Sequence, residues 1–303
     1  MEAKEINLKN LFESGVHYGH LTRYREPKMD KYIFGARNGI NIINLEHTVK
    51  MMRDAMKVVD RVVNSGGNVL FVGTKFPARK LVEELATECG MPYVNYRWLG
   101  GMLTNYKTIK QSVRSLKQIE KMYESGTIDK LTKKEALTIS RKLTKLKLNL
   151  GGIRDMTGLP ELIFVLDAGQ EKIAIQEANR LGIPVIGVVD TNSSPDGVDY
   201  VIPGNDDSMR SIRFYLENVA GVITKIKDAK IAGVANIEEE SFVEVESEVE
   251  KDRLIYEFDI MTKDGKEVEV ECDAKNHTLH DFEVEYKKGD KAFTNAAKIS
   301  ESE

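Results

Sequence analysis

Tyr96-Arg97-Trp98-Leu99-Gly100-Gly101-Met102-Leu103-Thr104-Asn105 separates two kinds of sequence. Before it, short apolar runs alternate with amphipathic stretches. After it, from Thr104 to Leu150, the pattern is basic and almost purely helical, until a second diglycine, Gly151-Gly152, restores the alternation. Glycine pairs accept positive φ and close backbone approach, which a sharp change of direction needs. The stretch predicts a compact α/β body from which a two-helix arm projects. Trp98, the only tryptophan, packs at the arm's root. A lone tryptophan is also simply a core residue, and both readings hold together.

Outward from this point, the apolar runs Ile40–Leu45, Val69–Val72, Met91–Tyr96, Leu162–Leu166 and Ile183–Val189 read as buried strands. Between the first two, Val49, Met52, Met56, Val59 and Val63 recur at helical spacing. Tyr200–Pro203, a polar turn and a helix to about Lys227 complete the body. Near-continuous apolar strands alternating with helices predict a doubly wound parallel sheet of about five strands. In the arm, Thr104 is positioned to cap a helix with the stripe Ile109, Val113, Leu116, Ile119 and Tyr123. Ser125-Gly126-Thr127 makes the tip. Thr132 with Glu135 fits a capping box opening a second helix with Leu137, Leu143, Leu146 and Leu150. Two such stripes predict an antiparallel coiled-coil hairpin.

Charge is distributed unevenly. The net −4 of the 303 residues hides a stretch, 236–303, with 9 basic and 21 acidic residues. The arm, 104–150, holds 12 Lys and Arg against 4 Asp and Glu, a local +8 that equals the net charge of residues 1–235. One basic projecting element points to a polyanionic partner. The domain reading is a body over 1–235, an acidic linker over 236–252 and a small β-hairpin module over 253–303. No apolar run approaches a membrane span, no signal-peptide pattern opens the chain, and Cys89 and Cys272 lack metal-type spacing. The expected setting is cytoplasmic and reducing, with no membrane partner.

The segment Leu21-Thr22-Arg23-Tyr24-Arg25-Glu26-Pro27-Lys28-Met29 is too broken for a helix, and Phe34-Gly35-Ala36-Arg37-Asn38-Gly39 closes it with a turn. Its guanidinium groups and tyrosine rings suit phosphate pairing and base stacking. A solvated loop over a sheet edge is the plainer alternative. An enzyme reading, a nucleotide-dependent one on the same sheet, finds little support. The first strand–helix junction has no glycine-rich phosphate loop, and Gly73-Thr74-Lys75 lacks Walker spacing. One polar constellation remains: His17, His20, Asp190 and Asp206 could hold a divalent ion, although helix capping and local hydrogen bonds would employ the same residues.

These residues carry a resemblance. Gly15-Val16-His17-Tyr18-Gly19-His20, Tyr32-Ile33-Phe34-Gly35-Ala36-Arg37-Asn38, Arg97-Trp98-Leu99-Gly100-Gly101-Met102-Leu103-Thr104-Asn105, Val189-Asp190-Thr191-Asn192 and Ile202-Pro203-Gly204-Asn205-Asp206-Asp207 resemble the bacterial family of small-subunit ribosomal protein two, from about residue 7 to 226. The resemblance implies a flavodoxin-like body with a protruding coiled-coil hairpin, a structural rather than enzymatic role, and no cofactor. It implies contact with 16S rRNA between head and body of the subunit, with neighbouring ribosomal proteins, and in many bacteria with the mRNA-binding protein one. Expected RNA contacts are Tyr18, Arg23, Tyr24, Arg25, Lys28, Arg37, Asn38, Arg97, Lys107, Lys110, Arg114 and Lys117. The chain departs from the family pattern at Arg25-Glu26 and at Phe76, where a basic residue is common.

Overall fold

A computed structural model describes the backbone of residues 5–239, 242–250, 253–261 and 267–273, and the side chains of 5–128 and 131–230. Helix α1 (Leu8–Glu13), capped by the Asn7 side chain, leads into strands β1 (Tyr18–Leu21), β2 (Ile33–Arg37) and β3 (Ile40–Ile43). These three form an antiparallel sheet of their own, in the order β1-β3-β2. Ile40–Leu45, expected to open the parallel sheet, thus belongs elsewhere. Asn38 and Gly39 both take positive φ, +52° and +77°. Such a pair makes the tight turn that joins antiparallel neighbours, so β3 pairs back on β2.

The parallel sheet comprises β4 (Val69–Val72), β5 (Tyr93–Val94), β6 (Leu162–Val165), β7 (Val185–Val189) and β8 (Tyr200–Pro203), in the order β5-β4-β6-β7-β8. This is the flavodoxin-like order. Alternation along the strands creates two cores. Phe71, Phe164, Ile186 and Val188 join one, with residues of α2 (Leu45–Asn64), α3 (Phe76–Glu88) and α7 (Met209–Glu239). Leu70, Val72, Ile163, Val165, Val185 and Val189 join the other, with α6 (Lys172–Leu181) and the bases of α4 (Tyr106–Glu124) and α5 (Lys133–Leu150). Trp98, 7% exposed, sits in the second core with Met102, Leu103, Ile109, Val113 and Leu150.

In α4 the expected stripe Ile109, Val113, Leu116 and Ile119 is buried, but Tyr123 is exposed. Leu137 of α5 is also exposed, and Ala136 and Ile139 take the half-covered positions beside Leu143 and Leu146. Thr132 and Glu135 form the expected capping box. Thr104 caps nothing: Asn105 is the cap residue of α4, and Thr104 is engaged elsewhere.

The chain divides into two compact units, 1–226 and 227–303, with α7 running across the division. The second unit contains β9 (Phe242–Glu250), β10 (Arg253–Met261) and β11 (Glu267–Asp273), antiparallel in the order β11-β10-β9. Residues 236–252, read as a linker, therefore hold the end of α7 and β9. The alternation within that module also suggests a turn at Lys263–Lys266 and a third run, Asp281–Tyr286, and both lie wholly outside the described residues.

Candidate functional site

The arm is fastened by one carboxylate. Glu177 of α6 is 8% exposed and accepts hydrogen bonds from Trp98 Nε1 (3.1 Å), Gly101 N (2.7 Å), Leu103 N (3.1 Å), Thr104 N (3.1 Å) and Thr104 Oγ1 (3.0 Å). The Trp98–Thr104 turn wraps its amides around an anion, as concave backbone nests do. Burial alone would raise the Glu177 pKa, but the donors of Thr104, Trp98, Gly101 and Leu103 outweigh it and hold the carboxyl below its ordinary value. The two diglycines divide the labour. Gly101 supplies a positive φ of +85°, and a Cβ on Gly152 would lie 2.2 Å from the Tyr93 carbonyl oxygen. Glu177 was not identified from the sequence. Its spacing with Ala174 and Ala178, both buried, places a charge on the inward stripe of α6, which is the signal that marks it.

A second constellation lies at the carboxyl ends of β4, β6 and β7, where open α/β sheets bind ligands. Lys75 follows β4, and its ammonium reaches Asp167 (3.3 Å), Asp206 (2.7 Å) and Asp207 (2.5 Å). Glu171 accepts from Thr74 N at 2.8 Å and Thr74 Oγ1 at 2.5 Å. The crevice between β4 and β6 is thus bridged by side chains where a nucleotide phosphate would lie, and its carboxylates repel phosphate.

His20 meets this cluster. Its Nε2 is 3.1 Å from Asp207 Oδ2, and its Nδ1 is 3.1 Å from Asp190 Oδ2. Yet His20 Nδ1 and Asp190 Oδ2, both buried atoms, make no hydrogen bond among the described residues. Donor atoms of His20, Asp190 and Asp206 lie within 4.8 Å of one another. In tetrahedral zinc sites neighbouring ligand atoms lie about 3.3 Å apart, from metal–ligand distances of ~2.0–2.1 Å. A histidine ligating through one nitrogen normally donates from the other to a carboxylate, and Asp207 stands where that carboxylate belongs. One imidazole and two carboxylates are the donor types a divalent ion takes, and the Lys75 ammonium, 2.7 Å from Asp206, shares the same cluster. His17 is not in the group: it is buried, stacked on Phe12 at 4.4 Å, with its pKa lowered by burial.

The residues expected to meet RNA fall into three places. Tyr18, Arg23, Tyr24, Arg25, Lys28, Arg37 and Asn38 belong to the β1–β3 sheet and its turns. The Arg23 guanidinium stacks 4.6 Å over Tyr24, while Arg25 pairs with Asp30 and Lys28 with Asp196. Arg97 is exposed on the turn at the arm's root. On α4, Lys107 and Arg114 are exposed, but Lys110 approaches the Thr157 carbonyl at 3.5 Å and Lys117 pairs with Asp155 at 3.1 Å. Lys133, Lys134, Arg141, Lys142 and Lys145 of α5 are exposed, with no carboxylate partner among the described residues.

A sequence model described as ribosomal protein S2 matches residues 11–225. The chain belongs to the ribosomal protein S2 family. It is 58% identical over 216 residues, 71% of its length and 85% of the relative's, to a protein of Hahella chejuensis (strain KCTC 2396) named small ribosomal subunit protein uS2. Membership carries a structural role in the small ribosomal subunit and in translation, and not an enzymatic one. No helix among the described residues is long and apolar enough to cross a membrane.

Proposed function

We propose that this ribosomal S2-family chain binds 16S rRNA between head and body of the small subunit, on ribosomes in the cytoplasm, through the β1–β3 turns, Arg97 and a coiled-coil arm of α4 and α5. The observation that carries the reading is the arm's +8 charge, with exposed cations of α5 that no carboxylate neutralises among the described residues. Phosphate pairing supplies affinity, and the shape of the folded rRNA supplies specificity. Neighbouring ribosomal proteins, including protein one where the organism has it, complete the surroundings. A divalent ion on His20, Asp190 and Asp206 ties the N-terminal segment to the ends of the sheet, and the 253–303 module is an appendage outside the rRNA-binding core.

The test is binding to a 16S rRNA transcript across a salt series. Each phosphate contact contributes roughly 0.7–0.9 to the slope of log K against log salt. Replacing Lys107, Lys110, Arg114 and Lys117 by Gln flattens the slope by up to about 4 units if all four reach phosphate. An unchanged slope would mean that those lysines are only a solvated face.

A further inference from the structure

The first turn of α3 carries a cation that no carboxylate claims. Arg79 is half-buried, its Nε donates to the Thr74 carbonyl at 2.9 Å, and its guanidinium lies 4.7 Å over the Tyr96 ring. One bond and one stack thus fix a side chain that would otherwise sample many rotamers. Glu83, four residues on, has the spacing for an ion pair with Arg79. It is engaged instead by the Asn95 amide at 3.1 Å, and the same amide donates to the Arg79 carbonyl at 3.0 Å. Lys80, next in the chain, pairs with Glu84 at 3.4 Å. Arg79 has no such partner among the described residues, and its Nη groups make no hydrogen bond among them.

Tyr96 joins this cation to the root of the arm. It directly precedes Arg97, which is exposed and has no carboxylate partner among the described residues, and Trp98, whose indole Glu177 holds at 3.1 Å. Tyr96 itself is 40% exposed, so the stacked pair lies at the surface. A guanidinium backed by a ring, tethered through Nε and with its Nη groups unclaimed, offers the kind of N–H fork that phosphate takes from arginine. Setting the fork in advance reduces the entropy lost when an anion binds. The segment that carries Tyr96 and Arg97 runs directly into the arm, whose local charge is +8. A polyanion drawn to the arm is therefore drawn to this edge of the body as well.

We propose that Arg79, set on Tyr96, binds a phosphate of the rRNA and extends the contact surface from Arg97 onto α3. The proposal rests on the rRNA-binding reading above. In full-length protein, Arg79→Gln is expected to weaken binding to a 16S rRNA transcript about 10-fold, the lower end for a hydrogen bond to a charged group. It also flattens the slope of log K against log salt by about 0.7–0.9. Arg79→Lys loses the same Nε bond and the planar fork but keeps the charge, so it keeps the parent's slope, with an affinity between the two. Comparing Gln with Lys thus separates the charge from any packing role, and thermal melting checks that both are folded. Tyr96→Leu removes the platform and leaves the cation: the slope stays, and affinity falls about 3-fold. If the parent binds the 16S transcript no better than an unrelated RNA of equal length, the rRNA reading fails and the contact falls with it. If the parent binds specifically and Arg79→Gln keeps its slope, or the Gln and Lys variants share one slope, the Arg79 contact alone is overturned, and the side chain only braces α3 against Thr74. Normal RNA binding by an Arg79→Gln protein that is lost from small subunits overturns it too, in favour of a protein contact.

Discussion

Glu177 couples a helix of the body to the turn from which the arm departs, and its five hydrogen bonds are all local to Trp98–Thr104. Glu177→Ala leaves the buried donors of Trp98 and Leu103 unmet and the half-buried ones of Gly101 and Thr104 to water, and is expected to cost about 3 kcal/mol, read from chemical denaturation. Because the folded pKa is lowered, the stabilisation is complete above the unfolded value of about 4.3 and is lost as pH falls through the folded one. Glu177→Gln therefore removes an acid-side decline as well as stability. At the second diglycine, Gly152→Ala is expected to destabilise by about 1–3 kcal/mol, since its Cβ meets backbone, whereas Gly151→Ala, with nothing within 4 Å, is tolerated. The His20 cluster has the opposite pH sign. Burial, then the charges of Asp167 and Asp190, push Asp206 up to about 7 against the pull of Lys75, and the Asp190 carboxylate raises His20. Folded protein thus keeps protons that the unfolded chain has released, so this contribution to stability falls as pH rises between about 4 and 7. A divalent ion displaces those protons and binds more tightly as pH rises. With Zn²⁺ the Tm of the protein should rise most at pH 8, and Asp206→Asn should abolish the gain; no shift at any pH would remove the ion from the account. Sequence spacing was enough to bring His20, Asp190 and Asp206 under suspicion because strand ends converge in such sheets. Glu177 escaped because its partners lie more than seventy residues away in the chain.

At the scale of elements, the capping box of α5 and the buried stripe of α4 were legible because both depend on neighbours three or four residues distant. Thr104 was not, since a tertiary acceptor, Glu177, outcompetes the role of helix cap. Leu137 was placed on the inner stripe by a spacing that suited either face, and only the partner helix decides. Ile40–Ile43 has the apolar run of a parallel-sheet strand, yet the Asn38-Gly39 turn pairs it with β2 first. The two arm helices also separate in charge. Lys110 and Lys117 of α4 are engaged by Thr157 and Asp155, whereas Lys134, Arg141, Lys142 and Lys145 are exposed without carboxylate partners among the described residues. Replacing those four α5 cations by Gln should flatten the salt slope of 16S rRNA binding more than replacing the α4 set. Helicity is retained in both, because glutamine is a good helix former. Equal slopes for the two variants would refute this division.

For the whole molecule, the distribution of charge outweighs its sum. Residues 1–235 carry +8 and residues 236–303 carry −12, and the compact unit 1–226 contains both cores described above. A chain ending at residue 235 is expected to melt cooperatively near the temperature of the parent and to enter small subunits; an insoluble or excluded truncate would contradict the boundary. The flavodoxin-like sheet carries this function without catalysis: Lys75 and Glu171 bridge its ligand crevice, while the outer turns and the arm offer cations. The most direct measurement is a sucrose gradient of cells expressing the tagged full chain, combined with ultraviolet cross-linking and sequencing of attached RNA. Sedimentation with small subunits and cross-links from the β1–β3 turns and the arm to 16S rRNA are predicted. A protein that stays in the light fractions, without rRNA cross-links and retained on nucleotide resin, would contradict the account.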